Sequence, residues 1–450
     1  MLNKNDRITL EITSLATDGN GVGRHDGMAV FVPFSAPGDQ LEVHIVKVQK
    51  TLAYGKIARI LSPSPLRQEP ACPHFGRCGG CSLQHLQYDE EVRIKTRWVE
   101  ENLRRIGGID LPVTGLASPS PLRYRNKAQF PVGMGPDGPL CGFYAGRSHR
   151  IVPCEDCLLQ PEVFSGICWE ILDFVRERGI SVYSEETGQG LLRHLYLRRA
   201  ETTGQIMVCL VVTRPHLPHQ EELVRRLQAA CPAVSTILLN INSKATNVIL
   251  GPEQKVLWGS GLLEDNLCGV GVELSPLSFY QVNHAAAQLL YREAARMAQL
   301  TGREVLLDLY CGAGTIGLSM ASQVSQLIGV EIVPQAVENA RRNAREAHIT
   351  NARFLCADAG QAAAQLAAEG LRPDVAVIDP PRKGCDLVTL DALAQLSPDR
   401  IVMISCNSAT GARDLKLLEE RGYRTVEARA VDLFPRTAHV EMAALLQKLS

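Results

Sequence analysis

The chain has 450 residues, too many for one hydrophobic core, and its length alone suggests about three domains. Hydrophobic residues at 45 % and charged residues at 21 % describe an ordinary globular composition, and a net charge of -1 excludes the whole-chain basic signature of a nucleic-acid binder. Any RNA or DNA contact must come from local basic patches.

The first twelve residues hold no apolar core of signal-peptide type, and no run of about 18 apolar residues occurs, so a cytoplasmic protein with no membrane partner is expected. Fourteen cysteines without an export signal argue for reduced thiols, metal ligation or catalysis rather than a disulfide framework.

Residues 1–61 are predicted to form a small β domain. Alternating segments (8–12, 28–32, 41–48 and 54–60) are separated by glycine-rich turns such as Asp18 to Gly23, the pattern of a five-stranded barrel. Such barrels often bind oligonucleotides, and residues 15–39 resemble the start of a TRAM domain, an RNA-binding barrel attached to RNA-modifying enzymes.

The Pro/Ser linker 61–65 leads into Cys72-x5-Cys78-Gly79-Gly80-Cys81. Three thiolates on one loop, with two glycines letting the backbone fold tightly, give three corners of a tetrahedral sulfur site. Cys157 is the better candidate for the fourth corner and Cys154 the reserve; zinc and an iron-sulfur cluster both accept four thiolates, so spacing leaves the two open.

Residues 88–106 are predicted to be an amphipathic helix whose Arg93, Lys95, Arg97, Arg104 and Arg105 form a solvated face. Arg123, Tyr124, Arg125 and Lys127, with Phe143, Tyr144, Arg147, His149 and Arg150, interleave cations with rings as a strand-tracking surface requires. Residues 191–214 are predicted to form a strand hairpin with Arg193, His194, Arg198 and Arg199 on one side. The stretch 62–265 is thus a central mixed α/β domain.

From residue 266 to 450 strands alternate with helices. An apolar strand ending at Leu309 runs into Asp308-Leu309-Tyr310-Cys311-Gly312-Ala313-Gly314, a glycine loop at a sheet edge where backbone can approach a ligand. The next strand ends in Glu331, 23 residues after Asp308, the spacing at which a carboxylate reads a ribose hydroxyl. A further strand ends in Asp379-Pro380-Pro381-Arg382, where two prolines stiffen the loop that holds the carboxylate. Ile401 to Ile404 form a short buried strand that stops at Ser405-Cys406-Asn407, placing Cys406 at the sheet edge where ligands bind.

The cysteine cluster, the stretch Ser278 to Asn283, DLYCGAG, DPPRKG, SCN and Ala438-His439-Val440-Glu441 occur in that order, and together they resemble the RNA (uracil-5-)-methyltransferase family over nearly the whole length. The resemblance implies a multidomain α/β protein: a TRAM barrel, a central cluster-bearing domain and a Rossmann-like class I methyltransferase domain. It implies a 4Fe-4S cluster on Cys72, Cys78, Cys81 and Cys157. S-adenosylmethionine would be held by Gln281, Tyr310, Glu331 and Asp379, with Cys406 as nucleophile and Glu441 as general base. Family members with both barrel and cluster are similar to the 23S ribosomal RNA enzymes, so a monomer acting on 23S rRNA is expected. Three rivals remain: the same chemistry on a tRNA uridine, a radical S-adenosylmethionine enzyme, and a non-catalytic RNA-binding assembly factor.

Overall fold

The computed structural model describes residues 2–449. The chain divides into two compact units, Met1–Pro121 together with Ala363–Ser450, and Leu122–Ala362.

The first unit opens with β1 (Arg7–Glu11), β2 (Ser14–Leu15), β3 (Gly21–His25), β4 (Met28–Val32), β5 (Gln40–Val48) and β6 (Leu52–Ser62), a six-stranded sheet in the order β1-β5-β6-β4-β3-β2. Alternation sets the inside: Leu41, Val43 and Ile45 of β5 are fully buried with Leu10, Ile12, Val30, Val32 and Ala53. The glycine run that reads as a turn is partly strand. A Cβ on Gly21 would lie 1.9 Å from Ser35 Oγ and one on Gly23 2.3 Å from the Glu11 carbonyl oxygen, so these glycines permit close strand packing, and only Gly19 (φ +83°) turns the chain.

Next come α1 (Tyr88–Asn102), which runs into a π-helical turn over Leu103–Gly107, and β7 (Val113–Leu116). Lys95, expected on the solvated face of α1, is 1 % exposed. Its ammonium lies 2.7 Å from both Glu91 Oε1 and Asp432 Oδ1, carboxylates that make burial of the charge tolerable.

The second unit begins with β8 (Lys127–Gly135), β9 (Gly138–Tyr144), β10 (Ile151–Pro153), α2 (Val163–Glu177), β11 (Leu192–Arg199), β12 (Ile206–Val212), α3 (Gln220–Ala230), β13 (Val234–Ile241) and β14 (Glu253–Trp258). Its seven strands lie in the order β10-β9-β8-β11-β12-β13-β14, and α2 packs on one face over Leu195, Leu197, Val208 and Leu210. β11 and β12 form the expected hairpin, but Arg193, His194 and Arg198 are buried, not presented to solvent. Arg198 donates to the Ser275 and Ser278 carbonyls (both 2.9 Å) and Arg193 to those of Asn242 and Lys244 (both 2.8 Å), so each fixes a neighbouring loop. Arg123 likewise forms a two-pronged pair with Asp156 (2.6 and 2.5 Å).

The unit continues through β15 (Leu263–Leu267), β16 (Val270–Leu274), α4 (His284–Ala298), β17 (Val305–Leu309), α5 (Thr315–Met320), β18 (Gln326–Glu331), α6 (Pro334–Glu346) and β19 (Ala352–Cys356). β17, β18 and β19 are parallel neighbours, as strands joined by helices must be. After α7 (Ala359–Ala368) the first unit resumes with β20 (Val375–Ile378), α8 (Leu387–Leu396), β21 (Arg400–Ser405), α9 (Ser408–Glu419), β22 (Tyr423–Val431) and β23 (Glu441–Lys448). Here the order is β20-β21-β23-β22-β7, with β23 antiparallel to both strands that flank it.

Candidate active site

β21 is apolar on both faces and ends in Ser405, so Cys406 emerges half-buried at the carboxyl edge. Asn407 then caps α9, its Oδ1 accepting from the Ala409 amide at 3.1 Å, and a bond from Ser405 Oγ to the Asn407 carbonyl (2.9 Å) tightens the corner. The antiparallel register ends with Ser405 opposite Met442, and one step further brings Cys406 against Glu441. On the other side Ile378 pairs with Met403, which brings Asp379 to the same edge.

The loop after Asp379 is tied to α9. The Arg382 carbonyl accepts from Thr410 Oγ1 (3.2 Å), that of Lys383 from the Arg413 guanidinium (3.0 Å), and Asp414 Oδ2 from the Cys385 amide (2.7 Å). The structure thus brings together three of the residues singled out in the sequence, Asp379, Cys406 and Glu441.

Their proton affinities are shifted together. Glu441, 5 % exposed, is pushed up to about 8 by burial and then by the Asp379 charge, with Arg382 pulling the other way. Burial raises Asp379 to about 6. The Cys406 thiol is raised by burial, by Glu441 and by Asp379, against the pull of Arg382. A reactive thiolate would call for the opposite direction; two carboxyls outweigh the cation here. His439, a rival base, is exposed and lies edge-on to Phe434.

In the second unit the glycine loop has its expected form. Tyr310 (φ +63°) and Gly314 (φ +79°) are left-handed, and a Cβ on Gly317 would lie 2.7 Å from Asp308 Oδ2, which accepts from the Gly317 amide at 2.9 Å. Glu331 Oε2 accepts from the Gly312 amide (3.1 Å) and Oε1 from that of Val333 (2.8 Å), so the carboxylate braces the loop and keeps lone pairs for hydroxyls. The Gln281 carbonyl accepts from Asn126 Nδ2 (2.9 Å), and Asn283 caps α4. Ile332 and Val333 are 61 % and 51 % exposed beside Glu331. Sequence reasoning passed over this apolar pair; its signal was two β-branched residues directly after an acidic strand end.

Cys72, Cys78, Cys81 and Cys157 are each half-buried. The Gly80 amide donates to Cys78 Sγ (3.4 Å) and Gln84 Nε2 to Cys81 Sγ (3.3 Å), a donor pattern that suits thiolates, and a bond with Cys154 heads the causes that bring Cys157 down to about 7. Among the described residues no three His, Cys, Asp or Glu side chains are grouped so as to hold a metal ion.

Comparison with known proteins bears on the family and the fold. Residues 270–449 match the family model described as tRNA (Uracil-5-)-methyltransferase, and residues 3–58 match the TRAM domain. The chain is 44 % identical over 450 residues to an uncharacterized RNA methyltransferase of Halalkalibacterium halodurans, covering 99 % of this chain and 98 % of that one. It is 40 % identical over 448 residues to one of Listeria monocytogenes, covering 99 % and 98 %. Among solved structures it is similar to the Pyrococcus abyssi tRNA (uracil-54, C5)-methyltransferase in complex with S-adenosyl-L-homocysteine: TM-score 0.79, 29 % identity, 98 % of this chain and 100 % of that one. Fold and site together define an S-adenosylmethionine-dependent RNA methyltransferase. Within that class, the chain belongs to the RNA (uracil-5-)-methyltransferase family.

Proposed function

We propose that the chain methylates C5 of a uridine in RNA, with Cys406 as nucleophile and Glu441 as the base that resolves the adduct. The observation that carries the reading is the register of β21 and β23, which sets a half-buried thiol against a buried carboxyl raised to about 8. Uracil C5 is a poor nucleophile. Addition of the Cys406 thiolate to C6 makes an enolate with charge at C5, dividing one hard step into two easier ones. C5 then takes the methyl group that the sulfonium of S-adenosylmethionine supplies. Glu441 accepts the remaining C5 proton, the C6–S bond breaks, and Cys406 leaves as the thiolate. A carboxyl raised to about 8 is, once it has released its own proton to solvent, a stronger base than an ordinary glutamate, and such help is typically worth about 10²–10⁴ in rate.

Gln281, Tyr310, Glu331 and Asp379 are the proposed cofactor contacts, with Glu331 on the ribose and the exposed Ile332 and Val333 as an apolar rest for the adenine. The fit rests on the braced carboxylate and the left-handed loop. Cys72, Cys78, Cys81 and Cys157 are proposed to hold a 4Fe-4S cluster, supported by the N–H donors at two of the sulfurs. The methylation itself balances without electron transfer.

The proposed substrate is 23S rRNA, on the combination of a TRAM barrel with the cysteine motif; likeness to the Pyrococcus tRNA enzyme favours a tRNA uridine as the second reading. The protein is proposed to be cytoplasmic and monomeric. One experiment tests both chemistry and substrate: incubation with 5-fluorouracil-containing total RNA and labelled methyl donor. Fluorine is not removable as a proton, so a covalent adduct at Cys406 is expected, and sequencing the trapped RNA identifies the target. No adduct, or one at Cys385, overturns the assignment.

A further inference from the structure

Five residues before Glu441, Arg436 is engaged at every polar group. It is a non-glycine residue held left-handed at φ +69°. Its amide donates to Glu91 Oε1 at 2.7 Å, and its carbonyl accepts from the amides of Ser82 (2.9 Å) and Leu83 (3.1 Å). Its guanidinium donates to the Leu86 carbonyl (3.0 Å) and to Glu91 Oε2 (3.3 Å) and lies 5.1 Å from the Tyr88 ring centroid. It is 6 % exposed.

The same short segment is gripped upstream. Lys95 bridges Glu91 and Asp432 and donates to the Phe434 carbonyl at 3.2 Å, and Tyr88 OH donates to Asp432 Oδ2 at 2.9 Å. Two cations and two carboxylates thus balance inside the first unit. The barrel reaches this place too: a Cβ on Gly19 would lie 3.4 Å from those of Ala438 and Ser82. Ser82 is the residue directly after Cys81.

We infer that Arg436 is a positioning residue for the reaction: by fixing the segment 432–440 to Glu91 and to the backbone of 82–86, it sets the Glu441 carboxyl where it can take the C5 proton. The inference rests on the reading of Glu441 as the base. A backbone forced into the left-handed region and bonded on both sides over-determines the path of the chain into β23, and strain of this kind persists only where the surroundings hold it. Misplacement of a catalytic group by about 1 Å can cost on the order of 10²-fold in rate.

The discriminating readout is where the reaction stops. A base that is out of place leaves addition and methyl transfer intact and slows only the last step, so the methylated Cys406–RNA adduct accumulates on ordinary uridine RNA. The test compares Arg436→Lys, which keeps the charge but not the planar guanidinium that lies over the Tyr88 ring, with Glu441→Gln and the unaltered chain, measuring turnover, adduct fraction and RNA affinity. Arg436→Lys is expected to lower turnover by roughly ten- to a hundredfold, with a raised adduct fraction and unchanged RNA affinity. Should Arg436→Lys fold poorly, the charge-balanced pair Arg436→Met with Glu91→Gln is expected to show the same accumulation. If Glu441→Gln accumulates adduct while the Arg436 variants lose adduct formation and turnover in step, Arg436 is only structural and the inference falls. If Glu441→Gln accumulates none, Glu441 is not the base and the inference falls with that reading.

Discussion

The carboxyl of Glu441 raises the proton affinity of the Cys406 thiol beside it, second only to burial in effect. The thiol therefore ionises most readily while Glu441 is protonated, the state favoured below about pH 8. In the proposed reaction a charged Glu441 therefore opposes formation of the thiolate, and a protonated Glu441 must release its proton to solvent before it can accept the one on C5.

Glu441→Gln is accordingly expected to make Cys406 more reactive as a simple thiol. Alkylation by iodoacetamide, followed by peptide mapping across pH 6 to 10, should show the Cys406 midpoint moved to lower pH in the variant. A midpoint that stays put or rises would mean that the two groups do not sense each other.

Stability should depend on pH through the same carboxyl. Glu441 keeps its proton to about pH 8 when folded, against 4.5 as its ordinary value, so between those limits the folded state binds more protons than the unfolded state. Its contribution is fully present below the unfolded value and is lost as pH rises through about 8, at no more than about 1.4 kcal/mol per pH unit. Urea midpoints at pH 5 to 8 should fall with rising pH in the unaltered chain and fall less in Glu441→Gln.

Lys95→Met is expected to cost about 3–5 kcal/mol, because the buried carboxylates of Glu91 and Asp432 would lose the ammonium that bridges them. Thermal or urea unfolding measures the loss directly. A cost under about 1 kcal/mol would mean that these side chains reach water, as exposed pairs do.

Glu331→Ala removes the acceptor of two loop amides at once. Binding of S-adenosylhomocysteine, followed by calorimetry, is expected to weaken by at least about tenfold, the size of one unsatisfied buried donor. Unchanged binding would remove Glu331 from the cofactor site.

Several strand ends were legible in the sequence because short apolar runs stop at or within one residue of Asp308, Glu331, Asp379 and Cys406, which marks strand termini without any knowledge of partners. The buried cations were not legible. Lys95 on a charged helix has the pattern of a solvated face, and its burial depends on Asp432, 337 positions away. Arg198 is hidden for a similar reason, since the carbonyls that satisfy it come from a loop beginning at Ser275. Gly21 and Gly23 misled in another way: glycine marks turns and tight packing alike, and only the neighbours Ser35 and Glu11 distinguish the two.

β23 lies between β21 and β22, so the strand that carries Glu441 fills a gap between two strands that precede it in the chain. Non-local pairings of this kind are the slow ones in folding. A folding intermediate with β21 formed and β23 still undocked would present the thiol of Cys406 without the Glu441 carboxyl beside it. On the proposed mechanism such a molecule would capture its RNA and fail to release it, which would give the docking of the last strand the standing of a safety catch.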